Sequence, residues 1–343
     1  MVETIQFEIP AHLNATIPAE RRGVSRDSVR LMVMDGTSTI QHDTFKNLGL
    51  HLRKGDLLVM NSSRTIPCVL YGRQGDRPVE IRLSRKISEN EWDVLVVNGS
   101  KQIGERIEFY EGVTAIIADY GSEEPLVRLH FSKGQTDLIN MFYKYGEPIR
   151  YEYINQPWSL DNYQTVYATI PGSVEMTSAG RAFSWKLLQE LKKQGINLAF
   201  LQLHAGLSYY GDDQWPTPNK HPEPYILPPE TAQLVNKTRE NGGRVIAVGT
   251  TVVRALESAV DGGGVVKARE GVTDLYITSG YSLKVIDGLL TGLHEPEASH
   301  LDLLSAFVRK DYLEKCYQIA VAHEYLWHEF GDMNLIFRDE TKQ

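Results

Sequence analysis

Residues 244–258, RVIAVGTTVVRALES from Arg244 to Ser258, decide how the rest of the chain is read. Residues 245–248 are a short apolar, mostly β-branched run of the kind that forms a buried strand. Gly249-Thr250-Thr251 interrupts it, and apolar residues then recur at helical spacing over 252–260. The stretch predicts a strand, a tight turn and the start of a helix. Such a junction presents free backbone N–H groups at the positive end of a helix, with two hydroxyls beside them, which suits a carboxylate, a phosphate or a ribose. Arg254 and Glu257 fall one turn in, three residues apart. The plainer reading is an ordinary α/β crossover whose threonines cap the helix and whose Arg254 and Glu257 form a solvated pair.

Working outward, residues 56–60 predict a short strand leading into a polar turn, Asn61-Ser62-Ser63-Arg64. Strands are expected at 163–168, 198–203 and 274–278. Helices are expected from Ser184 to a stop at Gly195, over 229–241, over 300–307 and over 310–330. Between about Ile66 and Phe131 the pattern changes to short alternating runs, CVLYGR, VEIRLS, WDVLVV, RIEFY, VTAIIAD and LVRLHF, which imply an antiparallel sheet or small barrel. The order α/β, all-β, α/β is most simply a barrel-like α/β domain, residues 1–65 plus 155–343, split by a smaller all-β, barrel-like domain at 66–154.

With 343 residues, 42% hydrophobic and 23% charged, the chain has the composition of a soluble globular protein of about two domains. No run approaches a transmembrane span, and the start, MVETIQFEIPAHL, has neither a basic nor an apolar leader region, so a cytoplasmic protein is expected. Cys68 and Cys316 lack CxxC or metal-type spacing and are expected to be buried free thiols, with no metal. The formal net charge of −8 argues against a surface that binds nucleic acid throughout. Local basic groups remain at Arg21, Arg22, Arg26 and Arg30, and at Lys186, Lys192 and Lys193 on one helix.

Strand ends in α/β folds gather loops around one crevice, and several here carry polar groups. They are Asn61 with Arg64, then His204-Ala205-Gly206, then Gly249-Thr250-Thr251, then 278–281 with Tyr281 and Lys284. Two further loops hold His221-Pro222-Glu223 and His294-Glu295-Pro296. His204 fits a general base, and the plainer reading of the pattern is a satisfied core histidine, since burial also keeps the ring neutral. His221 and Glu223 can pair, but HxE is too short for a metal signature. There is no GxGxxG, Walker A or GxSxG run.

Ten blocks occur in an order that resembles one family. They are SRDSVRLMVMD from Ser25, GDLLVMNSSRTIP from Gly55, YQTVYA from Tyr163, SAGRAFS from Ser178, LHAGL from Leu203, HPEPYILP from His221, VIAVGTTVVRALES from Val245, GYSLKVIDGLLTGLHEP from Gly280, LLSAF from Leu303 and GDMNLI from Gly331. From about Phe7 to Ile336 the chain is similar to the S-adenosylmethionine:tRNA ribosyltransferase-isomerases of the queuosine pathway. The resemblance implies an α/β domain interrupted by a β domain. It also implies S-adenosylmethionine as ribosyl donor and, as acceptor, tRNA carrying 7-aminomethyl-7-deazaguanine. The product is then epoxyqueuosine, with adenine and methionine released. A base would take a proton from the 5′ carbon, acidified by the sulfonium. Carried onto this chain, Gly249, Thr250, Thr251, Arg254 and Glu257 are the expected donor site, and Arg64 and His204 are expected at the reacting centre. His221, Glu223 and His294 are candidates for acid, base or acceptor contacts, and Asn61, Tyr281 and Lys284 complete the substrate-binding set.

The chain also departs from the family's pattern. Ser62 and Val69 stand where it has an acid and an arginine, Ala182 replaces a histidine, Gly211 an arginine, and Glu295 and Glu297 a leucine and a lysine. These departures suggest a divergent paralogue. Two alternatives accompany the main reading: the same donor chemistry on another small-molecule acceptor, or an inactive protein that binds a nucleoside or S-adenosylmethionine.

Overall fold

The run at 245–248 is a strand, buried at every position, in the middle of a nine-stranded mixed sheet. The structure is a computed structural model and describes residues 5–36, 38–211, 214–296, 299–339 and 341. Across the sheet the strands run Arg269–Thr273, Glu223–Leu227, Asn197–Leu203, Leu57–Asn61, Val245–Val248, Gly288–Gly292, Met333–Phe337, Arg30–Met34, Ile40–Thr44. The four from Asn197–Leu203 to Gly288–Gly292 are mutually parallel, and antiparallel strands flank them on both sides.

Strands covered on both faces need apolar side chains at every position, which LLVM and VIAV supply. Their alternation divides the core in two. Leu57, Val59, Val245 and Ala247 pack with Val252, Val253 and Leu256 of the helix Thr250–Ser258. Leu58, Met60, Ile246 and Val248 pack with Leu187, Leu188 and Leu191 of the helix Trp185–Lys193. Ser184 caps that second helix, accepting from the Leu187 N–H at 3.1 Å.

The six alternating runs become the strands Val69–Gln74, Arg77–Lys86, Glu91–Val96, Arg106–Glu108, Thr114–Tyr120 and Val127–Phe131 of a closed barrel, each paired antiparallel with its neighbours. Closure leaves no unpaired edge. The helix Gln135–Tyr145 lays Leu138, Met141 and Phe142 against the barrel core, with Phe142 edge-on to Trp92 at 5.8 Å. Cys68 and Cys316 are buried in separate cores. Among the described residues no helix is long and apolar enough to cross a membrane.

Five expected elements need correction. Residues 163–168 are not a strand: a 3-10 turn at Leu160–Tyr163 precedes open chain, and the strand is Ile170–Ser173, paired with Ser63–Thr65 where a polar turn was expected. The Gln164 side chain explains the break, because it accepts from Thr65 N–H (3.1 Å) and donates to Thr65 C=O (2.8 Å), as a neighbouring strand would. The strand expected at 274–278 is Arg269–Thr273 instead, since the carbonyls of Thr273 and Leu275 turn to the Arg254 guanidinium. The closing helices are shorter, His300–Leu304 and Lys310–Ala322. The second ends at Ala322, and Glu324 just beyond it holds a φ of 55° that lets Tyr325 and Trp327 turn inward to full burial.

Candidate active site

The C-terminal ends of the parallel strands open into a cavity of about 930 Å³, large enough for a nucleoside-sized ligand and a second reactant. Gly249, Thr250 and Thr251 form its floor. Gly249 holds φ 94° and ψ 153°, a conformation essentially limited to glycine, and this sharp turn brings the first N–H groups of the helix Thr250–Ser258 to the cavity. Asn61 stands behind the floor. Its amide donates to the Leu203 carbonyl (2.8 Å) and the Thr251 hydroxyl (3.3 Å) and accepts from the N–H groups of Ser63 and Leu203, locking three strand ends together.

Arg254 and Glu257 do not pair with each other. Arg254 lines the cavity, forms an ion pair with Glu223, and donates to the carbonyls of Leu275 (3.1 Å) and Thr273 (3.3 Å). Glu223 also accepts from the Gly206 N–H (3.2 Å), so the pair joins helix, sheet edge and loop. Glu257 is buried outside the cavity lining. It accepts from the N–H groups of Lys284 (3.1 Å) and Val285 (3.0 Å) and from the Tyr281 hydroxyl (3.2 Å). Glu257, Tyr281 and Lys284 thus come together as a brace on the helix, away from Thr250 and Thr251.

The histidines separate in the same way. His204 lies outside the lining with Nδ1 2.7 Å from the Ser63 hydroxyl, and burial, helped by Lys86, lowers its pKa. Arg64, on the strand Ser63–Thr65, is also outside it. His221 lines the cavity beside Gly206, where a Cβ would strike its Nε2, a buried nitrogen without a hydrogen-bond partner. Burial keeps His221 neutral-leaning. His294 reaches the Thr291 hydroxyl (2.8 Å) and stacks on His300 at 4.4 Å. Burial, then the neighbouring His300, holds His294 well below its usual pKa, and burial pushes His300 down to about 4.

The most distinctive wall consists of residues that sequence reasoning missed. Tyr151 donates to Glu175, which also accepts from the Ser208 N–H at 2.6 Å. Tyr153 donates to Glu329 and stacks on His328 at 4.0 Å. Burial pushes Glu175 up to about 7, with the Glu329 charge adding to it, and burial raises Glu329 as well. Both tyrosines stay protonated, their pKa values raised by burial and the carboxylates they face. The tyrosines lie in the Tyr-rich YKYGEPIRYEYI, visible as composition but joined to Glu175 and Glu329 only by the fold. Chemically the cavity offers acids, aromatic faces and neutral imidazoles, and the one guanidinium in its lining among the described residues is already paired. Among the described residues no group of three His, Cys, Asp or Glu side chains could hold a metal.

Of the basic groups, Arg26 and Arg181 both pair with Glu20, Arg22 donates to the Phe330 carbonyl (3.0 Å) and Arg30 to that of His323 (2.6 Å). These arginines tie the N-terminal segment to the body. Of the positions that depart from the family's pattern, Ser62, Val69 and Ala182 are buried and Gly211 is half-buried, whereas Glu297 falls outside the described residues.

A family model described as "Queuosine biosynthesis protein" matches residues 2–336. A relative in Carboxydothermus hydrogenoformans, named S-adenosylmethionine:tRNA ribosyltransferase-isomerase, is 38% identical over 98% of this chain and 99% of its own length. One of the same name in Thermoanaerobacter sp. (strain X514) is 37% identical over 96% and 98%. The crystal structure of an S-adenosylmethionine tRNA ribosyltransferase from Thermotoga maritima is 31% identical and covers 97% of this chain and 99% of that one, with a TM-score of 0.55. With its mixed α/β sheet, its six-stranded barrel and its cavity at the parallel strand ends, this chain belongs to the S-adenosylmethionine:tRNA ribosyltransferase-isomerase family of queuosine biosynthesis.

Proposed function

We propose that this enzyme transfers the ribosyl moiety of S-adenosylmethionine to the aminomethyl group of a 7-deazaguanine base in tRNA and isomerises it to the epoxy-cyclopentanediol of epoxyqueuosine. The observation that carries the reading is the carboxyl-rich, aromatic lining of the cavity, in which the one guanidinium among the described residues is paired with Glu223. Both reacting centres are cationic on arrival, the donor as a sulfonium and the acceptor as an ammonium. The walls present Glu175, Glu223, Glu295 and Glu329 with aromatic rings between them.

Thr250 and Thr251, with the open N–H groups of their helix, suit the donor's carboxylate or ribose hydroxyls. Tyr151, Tyr153 and His328 offer flat faces to the two heterocycles. Glu175 has the basicity to take the 5′ proton near neutral pH. His221, with Nε2 unpartnered, is the group to take the proton that the acceptor ammonium sheds to free its lone pair for attack on the ribose carbon. The amine bonds to C1′ as the glycosidic C–N and C1′–O4′ bonds break. C5′, having given up its proton, bonds to C1′ and to O4′ as its C–S bond breaks, which closes the carbocycle and the epoxide. Adenine leaves with a proton and methionine leaves as a neutral thioether. Arg254, His294 and Glu223 fix the walls. His204, Arg64, Asn61, Glu257, Tyr281 and Lys284 position the strand ends and the helix. Holding donor and amine together in a sheltered cavity supplies the remaining advantage.

The test is release of adenine and methionine by the purified protein with and without tRNA carrying the aminomethyl-deazaguanine base. Release that requires this tRNA is expected. Equal release with a free deazapurine amine alone, or donor binding without release, overturns the reading in favour of another acceptor or a sensor.

A further inference from the structure

A second cavity, of about 660 Å³, adjoins the first, and the two share Tyr151, Glu152 and Tyr209. Its character is the reverse of its neighbour's. Arg82, from the strand Arg77–Lys86, Lys101, from the loop after Glu91–Val96, and Arg150, from the segment leaving the barrel, all line it. Among the described residues Glu152 is the one carboxylate in its lining. Arg82 spends its Nε on Glu80 at 2.9 Å, whereas Lys101 and Arg150 are exposed and form no ion pair among the described residues. On a chain of net charge −8, three cations gathered from separate elements into one groove stand out against the surface.

We infer that this groove seats the phosphodiester of an RNA strand on either side of the nucleotide whose base enters the acidic cavity. The inference rests on the proposed function and adds to it the place where the polyanion lies. A base can reach a cavity walled by Tyr151 and Tyr153 only if it leaves its stack, and its flanking phosphates then run along the rim. The rim next to Tyr151 is where Arg82, Lys101 and Arg150 stand. The division is electrostatically coherent, since acids face the cationic reacting centres and bases face the anionic backbone. The arginines near the N-terminus and the lysines of the helix Trp185–Lys193 are not needed for it. Arg22, Arg26 and Arg30 are bound into the fold, and Arg21 and the lysines are outside the lining of both cavities.

The experiment measures binding of modified tRNA across a salt series for the wild type, for Lys101→Ala/Arg150→Ala and for a control, Lys192→Ala/Lys193→Ala. Donor binding and tRNA-dependent adenine release are followed in parallel. Each phosphate contact contributes roughly 0.7 to the slope of log K against log salt for a single strand, so the groove variant should lose about 1.4 from the slope. It should raise KM for tRNA about tenfold or more at low salt and leave donor binding intact, while the control keeps the wild-type slope. A groove variant with the wild-type slope, or a control that loses as much, overturns the groove and leaves the activity standing. A wild type that binds donor yet shows no tRNA-dependent release overturns the activity, and the groove with it.

Discussion

Replacing Glu175 with glutamine should make the protein more stable at pH 8 while abolishing turnover. The carboxyl titrates at about 7 in the folded protein against an ordinary 4.5. Between those values the folded state holds a proton that the unfolded state has released, so stability falls as pH rises through the window. At about 1.4 kcal/mol per pH unit the cost reaches a ceiling of about 3 kcal/mol above pH 7, reduced by whatever water the cavity admits to a side chain that is only half-buried. Glutamine keeps the acceptor that Ser208 N–H and the Tyr151 hydroxyl require, so the variant sheds the charge and not the contacts. Urea midpoints at pH 5, 6.5 and 8 supply the measurement. Wild type and variant should nearly coincide at pH 5, with the variant ahead by about 2–3 kcal/mol at pH 8. A difference that stays constant with pH, or that favours the wild type at pH 8, refutes the reasoning. Adenine release separates the chemical role: a merely structural Glu175 leaves a stable, active variant.

His300 should act in the opposite sense. With its folded pKa pushed down to about 4, stability is complete above about pH 6.5 and drains away as pH falls toward 4, and His300→Phe should flatten that acid limb in a pH-dependent melt. Arg254→Met strands the Glu223 carboxylate and two carbonyls, and a urea titration should show a loss of roughly 3–5 kcal/mol. Gly249→Ala forces a side chain onto φ 94°, which should cost about 1–3 kcal/mol in the same titration and weaken donor binding measured by calorimetry. Tyr281→Phe removes one of the donors to Glu257, so about 1 kcal/mol of stability should go while kcat and KM hold. A change in KM alone would return Tyr281 to the substrate.

The strand, turn and helix at 244–258 were legible because each followed a local rule: β-branched run, glycine, then helical spacing. The barrel was legible for the same reason, since half-buried strands must alternate. The misplaced elements mark where a distant side chain replaced a local rule. Gln164 supplied the hydrogen bonds of a strand to Thr65, and Arg254 captured the carbonyls that would have prolonged Arg269–Thr273. The cavity followed the same logic. Gly249, Thr250 and Thr251 could be placed from sequence because the turn itself points them. Glu175 and Glu329 could not, because their partners Tyr151 and Tyr153 lie 24 and 176 residues away. Glu257 looked like a partner for Arg254 at helical spacing. It instead binds the backbone of Lys284 and Val285, a role no spacing rule reveals.

The strand Met333–Phe337 lies between Gly288–Gly292 and Arg30–Met34, pairing Leu31 with Met333 across nearly the whole chain. During synthesis the hairpin of residues 30–44 therefore has no place to dock until this late strand leaves the ribosome, and the sheet closes from its middle only as translation finishes. A nascent chain halted before Met333 should be open to proteases at residues 30–44 while its barrel, with every strand emitted by Phe131, already resists them.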